Sequence, residues 1–467
     1  MERYDLCVIG CGPGGQKAAV QAAKLGRRVL VVDRRRQPGG VCVHTGTIPS
    51  KALREAALHL TGYRLRGVYG PAYRVKEQIT LEDVLFRAHH VIQRETEVVR
   101  AQLQRNRIAL LEGSARFLTP HRVEIQAEGS VREIEADVVV VAPGTVPARP
   151  KDVCFSRGRV VDSDGLLELE RLPRTMTVVG AGVVGAEYAT IFATLGVQVT
   201  LIDGRDRLLD FCDAEIAEAL GFHARSLGIT LRMGEECAAI DCPPGDGPAV
   251  LRLKSGKRLA AESVLFCAGR VPATANLDLQ SAGLSADARG RLVVDENFRT
   301  TVPHIYAVGD VIGFPSLASA AMEQGRRAAA HAFGGDASPS RSPLPFGIFT
   351  VPEISMVGAS EAELTKKGVP YEVGRARYGE IARGVILGDE NGLLKLIFHA
   401  ETGHLLGVHA MGDGATEIIH VGQAVMALGG TIDYLAHNVF NYPTLCECYR
   451  VAALDGMNRV AQLRLAA

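Results

Sequence analysis

At 467 residues the chain exceeds one ordinary hydrophobic core, and about three domains are expected. With 47% hydrophobic and 22% charged residues it is not a disordered chain. Lys plus Arg and Asp plus Glu each total 52, leaving no net field to gather nucleic acid or anionic lipid.

The chain enters an apolar strand at once, without a basic or long apolar leader, and runs such as Val138 to Ala142 fall far short of the ~20 residues a bilayer span needs. A cytoplasmic protein with no membrane partner is expected. The ten cysteines are scattered, with no CxxC pair and no metal-like spacing, so no metal site is expected.

In chain order, Tyr4 to Gly10 reads as a short buried strand, and Gly10-Cys11-Gly12-Pro13-Gly14-Gly15 opens an alanine-rich helix that stops at Gly26. Val29 to Val32 form the next strand, which ends in Asp33. An amphipathic helix follows from Leu81 to about Asn106; its neighbouring His89 and His90 face different ways and make no metal pair. Val138 to Val141 is a further strand, with Gly144 just beyond it.

The first design then returns. Met176 to Gly180 is a strand, Gly180-Ala181-Gly182-Val183-Val184-Gly185 opens a helix stopping at Gly196, and the strand Val197 to Ile202 ends in Asp203. First glycine to terminal acid runs from 10 to 33 and from 180 to 203, 23 positions in each. In such a unit one glycine makes the turn, one lets the backbone approach a pyrophosphate, and one lets helix and strand pack closely. The helix N-terminus attracts the anion and the acid accepts ribose hydroxyls. A lone GxGxxG carries little weight, but two in full strand–helix–strand context indicate two bound dinucleotides.

Between the loops, Gly39-Gly40-Val41-Cys42-Val43-His44-Thr45-Gly46-Thr47-Ile48-Pro49-Ser50-Lys51 resembles the GGxCxxxGCxPSK segment of the pyridine nucleotide disulfide oxidoreductases, among them lipoamide dehydrogenase and glutathione reductase. Ordered matches continue at Gly144, Ala268-Gly269-Arg270, Ile305 to Asp310, Phe349 to Glu353 and Tyr442 to Glu447. The resemblance implies an α/β chain with two Rossmann-like dinucleotide-binding domains of the glutathione reductase type and a C-terminal α+β dimerisation domain. It divides the chain into residues 1–148 and 273–340 for FAD, 149–272 for NAD(P), and 341–467 for the dimer, as a homodimer or larger homo-oligomer.

Two departures stand out. The disulfide reductases carry two cysteines five positions apart; here Cys42 is present but Thr47 replaces its partner, so no internal disulfide forms. They also carry a C-terminal HPTxxE, where Tyr442 now replaces the histidine and Glu447 remains; a tyrosine with a reference pKa near ~10 is a poor base at neutral pH. With these changes TIPSKALR, FNYPT and YRVAAL resemble the soluble, Si-specific pyridine nucleotide transhydrogenases.

That resemblance implies hydride transfer between NADPH and NAD+ through FAD, with NAD(H) and NADP(H) taking turns at one nicotinamide site in ping-pong fashion. It places Gly10, Gly12, Gly14, Gly15, Asp33, Gly40, Cys42, Thr47, Lys51, Ala115, Gly144, Gly309, Asp310 and Ala318 around FAD. Gly180, Gly182, Val183, Val184, Gly185, Glu187, Asp203, Arg205, Arg207 and Gly269 fall around the nicotinamide nucleotide. Lys51 is implied near flavin N5 and paired with Glu187, with Tyr442 and Glu447 completing a neighbouring subunit's site.

Several roles stay open. Asp203 alone favours NAD, whereas Arg205 and Arg207 either receive a 2′-phosphate or form a solvated turn; both nucleotides are expected to bind, unequally. Cys42 either packs beside the flavin or is a redox-active thiol. Tyr442 either takes part in the chemistry or fills the space of the missing histidine. Rival functions are a NAD(P)H:quinone or dye reductase and a non-catalytic sensor of nicotinamide nucleotides.

Overall fold

The computed structural model describes residues 1–156, 158–245, 247–340 and 342–466, in two compact units. One comprises Met1–Ala52, Phe86–Ala148 and Gly269–Pro339; the other comprises Leu53–Leu85, Arg149–Ala268 and Ser340–Ala467.

Among the described residues the first unit carries a seven-stranded sheet, in the order Ala109–Glu112, Val29–Asp33, Glu2–Ile9, Ser130–Val141, Arg122–Ala127 and Ser114–Thr119, with Ile305–Ala307 also paired to Ser130–Val141. Its central pairs are parallel, with Leu6 opposite both Val29 and Val138. All five residues of Val29–Asp33 are buried, as expected of a parallel strand covered on both faces. The strand foreseen at Val138 to Val141 is only the end of Ser130–Val141. Its earlier part is largely exposed and pairs antiparallel with Arg122–Ala127, so a search for continuous apolar runs passes over it.

The helix Pro13–Lys24 starts with proline at its first position, where no N–H is needed, and packs on the helix Ala318–Ala332. Glycines set the closeness of that contact. A Cβ on Gly325 would lie 2.0 Å from the Gly14 carbonyl oxygen.

The second unit holds a parallel sheet in the order Thr230–Met233, Gln198–Asp203, Thr175–Val179, Ser263–Phe266 and Val160–Asp162. Beside it is an antiparallel sheet of Cys237–Asp241, Ala249–Leu253 and Arg258–Ala261. A further antiparallel sheet runs Phe346–Ile348, Ile354–Gly358, Leu405–Met411, Leu393–His399 and Tyr371–Arg377, and its core includes Leu394, Leu396 and Val408 with Tyr449 from the helix Glu447–Ala466. The architecture is thus the expected one: a mixed sheet with a parallel centre and a second, parallel sheet, each feeding a glycine-loop helix, and a C-terminal α+β portion.

One buried charge ties the second unit together. Lys395 is fully buried, and its Nζ pairs with Asp213 at 2.8 Å, with Glu215 at 3.1 Å and with Glu361. Asp213 also caps the helix Ala214–Ser226 by accepting from the Glu215 N–H. Removing a buried cation from such partners costs about 3–5 kcal/mol, because the carboxylates are left uncompensated. Among the described residues no helix is long and apolar enough to cross a membrane.

Candidate dinucleotide sites

The two glycine loops have the same local geometry. Gly10 and Gly180 sit at φ of 103° and 107°, where only glycine is at ease. A Cβ on Gly15 would lie 2.0 Å from the Gly10 carbonyl oxygen, and one on Gly185 would lie 1.7 Å from that of Gly180, so both helices start directly against the turn. Gly12 and Gly182 cap the helices Pro13–Lys24 and Val183–Thr194 without any side-chain hydrogen bond. The first N–H groups and the partial positive charge of each helix are therefore turned to whatever anion approaches.

The terminal acids also match. Asp33 accepts the Cys11 N–H at 2.7 Å and the Arg35 N–H at 2.9 Å; Asp203 accepts the Ala181 N–H at 2.6 Å and the Arg205 N–H at 2.9 Å. Each acid is thus fastened to its own glycine loop. Uncapped helix ends, glycine backbone and a fixed carboxylate form a donor and acceptor set suited to a pyrophosphate and a ribose.

A single cleft in the first unit gathers most residues expected around FAD. Gly10, Gly12, Gly14, Asp33, Gly40, Cys42, Thr47, Ala115, Gly144, Gly309, Asp310 and Ala318 all line it. Gly15 does not, because it packs behind the turn, and Lys51 does not, its Nζ donating to the Ser50 Oγ at 3.2 Å. The cleft also takes in Arg34, Arg35, Thr145, Asn276 and Ser316. Of these the arginines had a visible signal, since they directly follow the acid that ends a strand, and Thr145 follows Gly144 at the start of the short strand Thr145–Pro147; Asn276 and Ser316 arrive from loops with no motif of their own.

Inside this unit Asp310 is pushed up by burial, against the opposing pull of Arg270 and the Thr145 hydroxyl, which donates to it at 3.3 Å. Burial also pushes the Cys42 thiol up and outweighs the hydroxyl of Thr47 and the charge of Lys51, both of which favour the thiolate.

In the second unit Glu187 is buried and accepts the Phe349 N–H at 2.8 Å, while Thr190 accepts the Val351 N–H at 3.0 Å. The helix of the second loop therefore fastens the start of the Phe349 to Glu353 motif. Val183 and Val184 are the first two residues of that helix. Arg205 grips Asp203 through Nε at 2.9 Å and Nη2 at 2.7 Å, and Asp210 through Nη1 at 2.7 Å. Burial works against ionising Asp203, yet the Arg205 guanidinium and the backbone donors hold its carboxyl at about 2. Arg207 donates to the Asp210 carbonyl at 3.1 Å.

Three expected residues stand elsewhere. Gly269 belongs to the first unit, where its carbonyl accepts the Ala148 N–H at 3.1 Å. Tyr442 is 74% exposed in the chain, so it packs into no space of its own subunit. Glu447 opens the helix Glu447–Ala466, and its Oε2 is buried with no hydrogen-bond partner among the described residues.

Family models match in two segments: pyridine nucleotide-disulphide oxidoreductase over residues 4–325, and the dimerisation domain of that family over residues 344–453. The chain belongs to the pyridine nucleotide-disulphide oxidoreductases. It is 55% identical over 465 residues to the soluble pyridine nucleotide transhydrogenase of Mycobacterium tuberculosis, covering 99% of each chain, and 46% identical to that of Hahella chejuensis, covering 98% of this chain and 99% of the relative. Among solved structures it resembles LpdA from Mycobacterium tuberculosis, with a TM-score of 0.89, 29% identity and coverage of 97% and 99%. It also resembles the HOCl-induced flavoprotein disulfide reductase RclA of Escherichia coli in its Cu(II) complex, with a TM-score of 0.88, 25% identity and coverage of 97% and 99%.

Proposed function

We propose that this chain is an FAD-dependent transhydrogenase that moves hydride between NADPH and NAD+, the two nicotinamide nucleotides taking turns at the second glycine loop. The observation that carries this reading is a pair of matching dinucleotide loops beside a redox motif reduced to one cysteine. Cys42 faces Thr47 instead of a second thiol, and burial pushes its thiol up.

FAD, bound along the first-unit cleft, supplies a two-electron carrier between one nicotinamide and the next. The chain supplies position and electrostatics. Gly12 and the helix behind it hold the FAD pyrophosphate, Asp33 the adenosine ribose, and Asp310 the ribityl and pyrophosphate region. Gly182, Val183, Val184 and Gly185 seat the nicotinamide nucleotide, and Asp203 with Arg205 and Arg207 reads its ribose. Lys51 offers the positive charge that offsets negative charge at the flavin, and Glu187 helps orient the nicotinamide.

Residues 1–148 and 273–340 form the FAD domain in this reading, 149–272 the nucleotide domain and 341–467 the dimerisation domain. The protein works as a cytoplasmic homodimer or larger homo-oligomer. Support comes from Val439 and Tyr442, strongly exposed in the single chain, and from Glu447, whose Oε2 has no hydrogen-bond partner among the described residues and which is suited to completing a neighbour's site.

The test is stopped mixing of FAD-loaded protein with NADPH, then with thio-NAD+. Bleaching of the flavin followed by its recovery, with thio-NADH formed in step, is the expected course. Recovery only on addition of a quinone or dye makes the protein a NAD(P)H:quinone reductase instead.

A further inference from the structure

Outside the hydride-transfer machinery, the second unit brings together two cysteines 88 positions apart. The segment 152–156 runs beside the strand Cys237–Asp241. Val153 bridges Ile240 in parallel, the Cys154 N–H donates to the Ile240 carbonyl at 3.0 Å, and the Ile240 N–H donates to that of Asp152 at 3.0 Å. In this register Cys154 falls beside Asp241, one position before Cys242; with strands ~4.7–4.9 Å apart and rising ~3.3 Å per residue, that offset stays within the ~4.4–6.8 Å Cα range of a disulfide.

Just beyond this pairing, the Cys242 Sγ stands 3.2 Å from the Cys154 carbonyl oxygen, which sets its thiol directly against the Cys154 residue. Arg159 fixes the chain that follows, its Nη1 donating to the carbonyls of Pro243 at 2.8 Å and Gly245 at 2.9 Å. Cys154 is exposed and Cys242 partly buried, so an oxidant from solvent meets Cys154 first. Burial and then the Cys154 thiol push Cys242 up to about 11, which keeps it a thiol until its neighbour has reacted.

We propose that Cys154 and Cys242 are a redox-active dithiol that closes to a disulfide when the protein meets hydrogen peroxide or another hydroperoxide. The Cys154 sulfur attacks the peroxide, whose O–O bond breaks, leaving a sulfenic acid and one water. The Cys242 sulfur then attacks the sulfenic sulfur; the S–S bond forms, the S–O bond breaks, and a second water leaves. Two thiols give up two electrons and two protons, and one hydrogen peroxide becomes two waters. The product staples the segment 152–156 to the antiparallel sheet that contains Cys237–Asp241.

The experiment exposes the FAD-loaded protein to hydrogen peroxide, alkylates it in denaturant and digests it without reductant. A cross-linked Cys154–Cys242 peptide about 2 Da lighter than its two thiol peptides combined is expected, with two of the ten cysteines lost to alkylation and regained after dithiothreitol. Cys154→Ser and Cys242→Ser each abolish that peptide, whereas Cys237→Ser, in the same sheet, keeps it. Ten alkylated thiols after peroxide, Cys154 recovered as sulfinic acid, or a cross-link mapped to other cysteines overturns the proposal. The readout is independent of turnover, so it stands or falls apart from the transhydrogenase reading.

Discussion

The two glycine loops share their turn, their uncapped helix and their fastened acid, and they differ in what else holds that acid. Asp33 accepts two backbone N–H groups and makes no side-chain ion pair among the described residues, whereas Asp203 is also clamped by the Arg205 guanidinium. The first loop thus presents a bare carboxylate to a ribose. The second presents one already neutralised, by a residue that can turn instead to a 2′-phosphate. An acid at the end of the strand is therefore a poor guide to coenzyme choice unless its partner is known.

The largest effect is expected from destroying the shared feature. Any side chain at Gly15 or Gly185 collides with the turn carbonyl. Gly15→Val is expected to give colourless protein without flavin; Gly185→Val is expected to stay yellow yet lose flavin bleaching by NADPH about 100-fold or more. Stopped-flow absorbance decides, and a Gly185→Val protein that bleaches normally removes the nucleotide from the second loop.

Arg205→Ala addresses the difference itself. Losing a hydrogen bond to a charged group costs about 1.5–3 kcal/mol, so the KM for NADPH is expected to rise about tenfold or more while that for NADH moves less than about threefold. Equal rises would show that Arg205 does not read the 2′-phosphate. The pH dependence follows from the lowered pKa of Asp203. Its ionised form stabilises the fold fully above the unfolded value of ~3.9, and that contribution is lost as pH falls through about 2. Between pH 5 and 9 the ratio of the two KM values should therefore change little on account of this pair.

The smallest effect is expected at Cys42. With its thiolate disfavoured by burial, Cys42→Ser should lower hydride exchange less than about tenfold with FAD retained. A greater loss at full flavin content brings the thiol back into the chemistry.

Much of this was legible because glycine requirements are local: the turns at Gly10 and Gly180 need a backbone conformation that the sequence announces by itself. What stayed hidden depends on tertiary approach. Asp203 and Arg205 read as rival determinants of coenzyme choice, and only the fold makes one the clamp of the other. Lys395, inside the apolar strand Leu393–His399, gives no sign that three carboxylates from elsewhere will surround it. The meeting of Cys154 with Cys242 depends on a strand pairing that no short motif encodes.

The glycine contact between Gly14 and Gly325 sets an order of events during synthesis. The strand Glu2–Ile9 and its helix are made early, but the helix that covers them and the strand Ile305–Ala307 that completes their sheet follow only after the parallel sheet of the second glycine loop, residues 160–266. That parallel sheet closes over a shorter stretch of chain and is complete by Phe266. The nascent protein is thus expected to acquire its nucleotide-binding sheet before its FAD domain, and to hold the first glycine loop open until the last strand of that domain arrives.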